Sequence, residues 1–169
     1  MKTVRMISSL LIIFAGFICF AFIVTGNEKP ADKILIEKKA RKLTVLRDST
    51  IIRTYRIALG RAPEGPKVCQ GDCRTPEGFY LIDGRNKNSQ YHRSLHVSYP
   101  NEADRAAARK HKCSPGGDIF IHGLPNGYGW IGKAHTMRDW TLGCIAVTDK
   151  EIEEIWNLIP NGTTVEIRP

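Results

Sequence analysis

Only one stretch of this chain is apolar enough to reach across a bilayer, and it lies near the start. From Ile7 to Val24 there is no charge, and Ser8 and Ser9 are the only polar interruptions. At 1.5 Å per residue such a run makes a helix of about 27 Å, close to a hydrocarbon core of ~30 Å. Lys2 and Arg5 precede it, so the basic end stays cytoplasmic and whatever follows Gly26 is sent across. Residues 1–26 therefore read as a signal peptide or an N-terminal membrane anchor. Val24-Thr25-Gly26 offers small residues for cleavage, but no Ala-x-Ala is present, and Ile18 before Cys19 does not suit a lipoprotein signal.

With that segment set aside, the remainder of the 169 residues suits one globular domain. A hydrophobic content of 42% is too high for a disordered chain, and 15 scattered glycines exclude a collagen repeat. Removing Lys2 and Arg5 from the 25 basic residues leaves 23 against 17 acids, a net +6. The basic run Arg105 to Lys112 carries no aromatic interleaving, so it reads as a solvated helix face and no nucleic-acid partner is expected.

Export changes how the cysteines are read. Cys69, Cys73, Cys113 and Cys144 lie beyond the leader, and an oxidising compartment favours two disulfides among them, with three connectivities open. If one must stay a thiol for chemistry, another is left over. Cys69 and Cys73 flank the turn Gln70-Gly71-Asp72 and could close a small ring. His111 and Cys113 with Cys69 and Cys73 could also be drawn as a zinc site, but an oxidising space argues against it. No metal and no cofactor is expected.

Along the chain, residues 27–32 form a polar linker with Pro30, and residues 33–168 the domain. Lys33 to Glu37 and Arg41 to Arg47 read as strands, the second with Leu43 and Val45 on one face, followed by the turn Arg47-Asp48-Ser49-Thr50. Ile51 to Leu59 alternates, placing Ile51, Tyr55, Ile57 and Leu59 together. Gly60 to Gly78 holds Pro63, Pro66 and Pro76 and must be loop. Phe79 to Ile82, Leu95 to Ser98, Asp118 to Ile121, Cys144 to Val147 and Thr163 to Ile167 are further strand candidates. Asn101 to Lys110 is helical by composition. Thr148-x-x-Glu151 is a capping box before Ile152, Ile155, Trp156 and Ile159, with Trp156 on the apolar side. Gly123 to Gly132 is a second glycine-rich loop. The architecture is mainly β with a few helices.

Two residues carry the candidate chemistry. His122 ends an apolar strand stub, which would hold its ring at the mouth of a sheet. Cys144 follows Gly143, where a bare backbone can approach a ligand closely and nearby amides can face a developing oxyanion. A thiol with a pKa of about 8.5 is mostly protonated at neutral pH, and a neighbouring imidazole can take its proton. A small buried cysteine and a core histidine would give the same residues without chemistry. His135 is a rival base, but a strand end positions His122 more rigidly. His92 and His96, four apart on an extended segment, are expected on one strand face. His96, Gly123 and Thr141 are candidates for the substrate side. Trp130 and Trp140 could line a cleft.

Ile121-His122-Gly123 followed by Thr141-x-Gly143-Cys144-Ile145 resembles the signature of the L,D-transpeptidase (YkuD-type) catalytic domain. The resemblance takes in Tyr55-Arg56-Ile57-Ala58-Leu59-Gly60, the stretch Gly71 to Gly78, and Ser98-Tyr99-Pro100-Asn101. It implies a β-sandwich-like fold and a cysteine nucleophile acting on peptidoglycan stem peptides at meso-diaminopimelate, in the periplasm or cell envelope. Carried over residue by residue, Cys144 is the nucleophile, His122 the general base and Gly143 the oxyanion support. Most members have His before the motif glycine and Arg or Asn two residues after the cysteine; here stand Leu142 and Ala146. Trp140 to Thr148 is instead similar to a divergent (YafK-like) branch, which includes hydrolases of the link between an outer-membrane lipoprotein and peptidoglycan. The resemblance thus leaves cross-linking, protein attachment and hydrolysis as alternative outcomes. A non-catalytic wall-binding module keeping the fold is the alternative of another class.

Overall fold

The computed structural model describes residues 29–169, so the leader expected over residues 1–26 lies outside the described residues. Among the described residues no helix is long and apolar enough to cross a membrane. The chain runs β1 (Lys33–Glu37), β2 (Lys42–Arg47), β3 (Thr50–Arg56), β4 (Gly78–Ser89), β5 (His92–Val97), α1 (Glu102–Lys110), β6 (Phe120–His122), a 3-10 helix (Gly129–Met137), β7 (Ile145–Ala146), α2 (Asp149–Leu158) and β8 (Thr164–Arg168). The fold is mainly β, as the alternation and turn residues predict.

All strands join one eight-stranded sheet in the order β3-β2-β1-β8-β4-β5-β6-β7. The 12-residue β4 bends through two irregularities in its pairing with β5, and so belongs to both halves of the sheet. The segment after β3 then reaches the far edge. Ala58 and Ala146 exchange backbone hydrogen bonds of 2.9 and 3.0 Å, and Gly60 bridges to Thr141. The two ends of the sheet are thereby tied together beside Cys144.

The interior is aliphatic. Ile34, Ile36, Leu43, Val45, Ile82, Leu95, Ile121 and Ile145 are fully buried, and α2 adds Ile152 and Ile155. Both helices begin with reciprocal capping boxes, Asn101 with Asp104 and Thr148 with Glu151. Such caps satisfy backbone N–H groups that would otherwise be left open. The second half of the expected linker is docked: Ala31 is in the core, and its N–H donates to the Leu158 carbonyl.

Several local expectations change. Ile51 is 64% exposed although Tyr55, on its expected face, is buried. The β2–β3 register shifts between Val45 and Leu46, and one slipped residue moves a side chain to the opposite face. Trp156 is half-buried against the core, and the Arg85 guanidinium lies 4.1 Å from its ring centre. His92 takes a φ of 64° and its Nε2 lies 2.7 Å from Glu153 on α2, whereas His96 pairs with Asp83 on β4. The left-handed first residue breaks the alternation that would have put both rings on one face.

The sulfurs pair differently from the small-ring expectation. Cys69 bonds Cys113, with Cα atoms 5.7 Å apart, and Cys73 and Cys144 are free. Cys73 has a φ of 55°, and its carbonyl oxygen is held against the backbone of residues 60–62. Asp72 organises this turn by accepting from Lys67 and from the backbone of Val68, Cys69 and Arg74. Burial raises its pKa, but those donors outweigh it and hold the carboxyl below its usual range. The sulfurs drawn above as zinc ligands are thus divided between a disulfide and a thiol.

Candidate active site

Strands β6 and β7 run parallel, with Ile121 opposite Ile145 and His122 opposite Ala146. Extending that register by one residue puts Cys144 across from Phe120, so its side chain shares a face with Phe120 and His122. Strand spacings of about 4.8 and 6.6 Å then set the Cα atoms of Cys144 and His122 roughly 8 Å apart. Both residues line one cavity of about 670 Å³, with Ser94, Trp140 and Thr141.

The imidazole is held by packing. His122 is 4% exposed, its ring centre is 4.5 Å from that of Tyr91, and Trp140 meets it edge-on at 5.8 Å. Its Nδ1 lies 2.7 Å from the Gly123 carbonyl. A carbonyl can only accept, so Nδ1 carries the hydrogen and Nε2 keeps the lone pair. Burial lowers the pKa to about 4, so the ring is neutral at pH 7.

The thiol is held by backbone geometry. Thr141 is 4% exposed; its hydroxyl donates to the Cys144 carbonyl at 2.8 Å and accepts the Gly143 N–H at 3.1 Å. Gly143 has a φ of 137°, and a Cβ there would lie 2.7 Å from the Arg74 carbonyl. A Cβ on Gly60 would lie 2.1 Å from the Cys73 carbonyl. Only glycines let these three backbone segments meet. Cys144 itself is partly buried, and its Sγ donates to the Asp118 carbonyl at 3.6 Å. Burial pushes the thiol pKa up; a backbone hydrogen bond from Phe120 opposes this, while the Asp118 charge adds to it. At neutral pH the pair is a thiol and an imidazole, not a thiolate and an imidazolium.

The other candidates take different places. Gly123 faces α2, where a Cβ would meet Asp149, and its carbonyl orients the His122 ring. Thr141 lines the cavity but spends its hydroxyl inside the turn. The Gly143 N–H is likewise engaged, which leaves the Cys144 amide as the nearest following donor. His96 stands behind Phe120, with ring centres 5.1 Å apart, and its Nδ1 is 2.5 Å from Asp83. His135 is buried beyond Trp140, whose Nε1–H donates to its Nδ1 at 3.5 Å, and it borders a second cavity of about 620 Å³. Trp130 is 82% exposed and lines neither cavity.

Sequence reasoning missed Arg61, Tyr91, Asp118 and two staples of the turn, one buried and one half-buried. Lys38, 2% exposed, pairs with Glu77 at 2.7 Å and donates to the carbonyls of Gly65 and Thr75, fixing the loop behind Gly60. Arg41 grips Asp139, which also accepts the Leu59 N–H at 2.9 Å. Arg61 directly follows the matched stretch Tyr55–Gly60, and that adjacency was the available signal. Tyr91 and Lys38 carried none.

The family model for the L,D-transpeptidase catalytic domain (YkuD) matches residues 31–167. The Escherichia coli (strain K12) protein named "Putative L,D-transpeptidase YafK" is 30% identical over 112 residues, covering 64% of this chain and 37% of that protein. The helical cell shape determining protein Pgp2 from Campylobacter jejuni superposes with a TM-score of 0.62 at 24% identity, over 83% of this chain and 48% of that one. Mycobacterium tuberculosis L,D-transpeptidase 1 superposes with a TM-score of 0.52 at 16% identity, over 83% of this chain and 62% of that one. The chain thus spans little more than a third of its curated relative and about half of Pgp2.

Proposed function

From the premise that the chain belongs to the L,D-transpeptidase catalytic domain family, we propose that it is an exported acyl-transfer enzyme of the cell wall in which Cys144 is the nucleophile and His122 the base. The observation that carries this reading is the shared cavity. A neutral imidazole with its Nε2 lone pair available and a free thiol face it from adjacent parallel strands. In the proposed reaction Sγ attacks the carbonyl of a stem peptide at the L-centre of meso-diaminopimelate, while its proton moves to His122 Nε2. The tetrahedral oxyanion takes the Cys144 N–H, and Thr141 holds the turn that aims it. Collapse breaks the C–N bond, and His122 returns the proton to the departing amine. A thioester remains on Cys144. His122 then deprotonates the acceptor, which attacks the thioester and restores the thiol.

The acceptor decides the outcome. An amine of a second stem or of an envelope protein gives a cross-link or an attachment. Water gives hydrolysis, including release of a lipoprotein from peptidoglycan. Ala146 is fully buried where most members have Arg or Asn, which removes one means of orienting an acceptor and keeps hydrolysis as the second reading. Neither step calls for a metal or cofactor, since a thiol–imidazole pair supplies both nucleophile and proton carrier.

The test uses purified peptidoglycan with wild type and with Cys144→Ala. Wild type should change the muropeptide masses and form a thioester on Cys144 that an added amine intercepts. Cys144→Ala should do neither, and a carbapenem should add mass to wild type only. Turnover retained in Cys144→Ala overturns the nucleophile assignment. Unchanged walls with both proteins, alongside retained wall binding, would instead identify a binding module.

A further inference from the structure

The two buried lysines among the described residues are paired, Lys38 with Glu77 at 2.7 Å and Lys67 with Asp72 at 2.8 Å, and the half-buried Arg41 pairs with Asp139 at 2.7 Å. The Cys144 cavity carries two charged side chains that are exposed and have no ion-pair partner among the described residues. Asp118 and Arg61 both line it, yet they do not pair with each other. Among the described residues the Asp118 carboxylate makes no hydrogen bond or ion pair. Arg61 donates from Nε to the Trp140 carbonyl at 3.2 Å, and its remaining guanidinium N–H groups have no partner among the described residues.

Their backbones hold both charges beside the thiol. The Asp118 carbonyl is the oxygen that lies 3.6 Å from Cys144 Sγ. Its φ of 57° is left-handed, a conformation that glycine adopts most easily and that Asp or Asn tolerates. Gly117 sits one position earlier, yet the strained place is given to an acid. Strain of this kind persists where the surrounding structure holds it and often marks a functional site. The Arg61 N–H donates to the Thr141 carbonyl at 3.0 Å, three residues before Cys144. Arg61 therefore offers, from a neighbouring loop, a cation beside β7, where Ala146 stands in place of the Arg or Asn of most members.

We propose that Asp118 and Arg61 are specificity-determining residues that read opposite charges on the acyl donor, Asp118 an ammonium group and Arg61 a carboxylate. The inference rests on the proposed reaction and sharpens it. The cavity then selects a donor carrying both charges near the scissile carbonyl over a neutral or singly charged amide. A diamino acid with a free distal amine, followed by a terminal carboxylate, has that chemistry. Asp118 also opposes ionisation of the thiol, so an ammonium seated on it relieves that opposition as the donor arrives.

The experiment compares two synthetic tetrapeptide donors that differ only in whether the distal amine is free or acetylated. Binding is measured by calorimetry to full-length Cys144→Ser, which removes turnover from the readout. The free-amine peptide should bind about tenfold more tightly, as expected for a charge-assisted contact in a partly enclosed site. Adding Asp118→Asn, which keeps the left-handed residue tolerable, should bring the two peptides within about twofold of each other. Asp118→Gly, which suits the same φ, should do likewise and guards against a folding artefact. Arg61→Gln should weaken both peptides alike, by about fivefold, and leave the amine preference intact. Equal binding of the two peptides to Cys144→Ser, or a preference that survives both Asp118 changes, overturns the proposal. Turnover of the free-amine donor by wild type is scored separately. A preference without turnover keeps the charge reading and rejects the reaction; turnover without preference does the reverse.

Discussion

Cys144 and His122 share a cavity but are fixed by different forces. The thiol side is a junction of backbone segments, residues 59–61, 73–75 and 141–144, joined at sub-van-der-Waals approaches for any side chain and stapled by Thr141, Asp72, Lys38 and the Arg41–Asp139 pair. The imidazole side is an aromatic enclosure of Tyr91 and Trp140, with one carbonyl fixing the tautomer. Hydrogen bonds and steric contact specify position; burial specifies protonation. The nucleophile needs a defined place, and the base needs a defined charge.

Changes on the thiol side should therefore cost stability first. Replacing Cys69 and Cys113 together by Ser opens a 44-residue loop, and loop entropy predicts a loss of roughly 4 kcal/mol. Urea denaturation of the purified domain measures it, and a loss below about 1 kcal/mol would mean that the wall behind the turn does not depend on the bridge. Gly60→Ala should follow at about 2 to 3 kcal/mol, because its Cβ meets a backbone carbonyl that cannot rotate away. Labelling of Cys144 by a small alkylating reagent should change in the same variant, since Gly143 is the next atom group displaced.

Changes on the imidazole side should move protonation more than stability. Trp140→Leu admits water to His122 and should raise its pKa from about 4 by on the order of one unit. A titration of the ring by NMR reads this directly, and an unmoved value would show that Trp140 is not the shield. Back on the thiol side, the smallest loss of stability is expected from Thr141→Val, about 1 kcal/mol for two lost hydrogen bonds in a turn. Its acylation rate should nevertheless drop by about tenfold or more, because the turn that aims Cys144 is loosened.

Much of this arrangement was legible in the residues. Alternation gave β1, β2 and β8 nearly to the residue, and the Thr148-x-x-Glu151 box gave α2. His122 closes one apolar strand stub and Cys144 opens another strand candidate, and thiol–imidazole chemistry with the family resemblance is what couples them in the sequence. What was not legible depends on partners distant in the chain. The outer part of β4, Asp83 to Ser89, is polar and carries no strand signal of its own, but β5 supplies its hydrogen bonds. The bulge that turns Ile51 outward leaves no mark in β3 itself. The Gly129–Met137 helix is broken by Gly132 and hides inside a glycine-rich loop. The family resemblance implies oxyanion support at Gly143, and what it does not reveal is that the Gly143 N–H donates to the Thr141 hydroxyl within the turn. The Cys69–Cys113 bridge joins residues 44 apart, and only the folded loop brings them together.

The pH dependence of Cys144 acylation, followed as the rate of mass gain with a carbapenem, tests the central account most directly. With His122 neutral down to about 4, the rate should hold steady as the pH falls through 6.5 and drop only near the lower value. A fall centred near pH 6.5, the ordinary imidazole range, would contradict a buried neutral base.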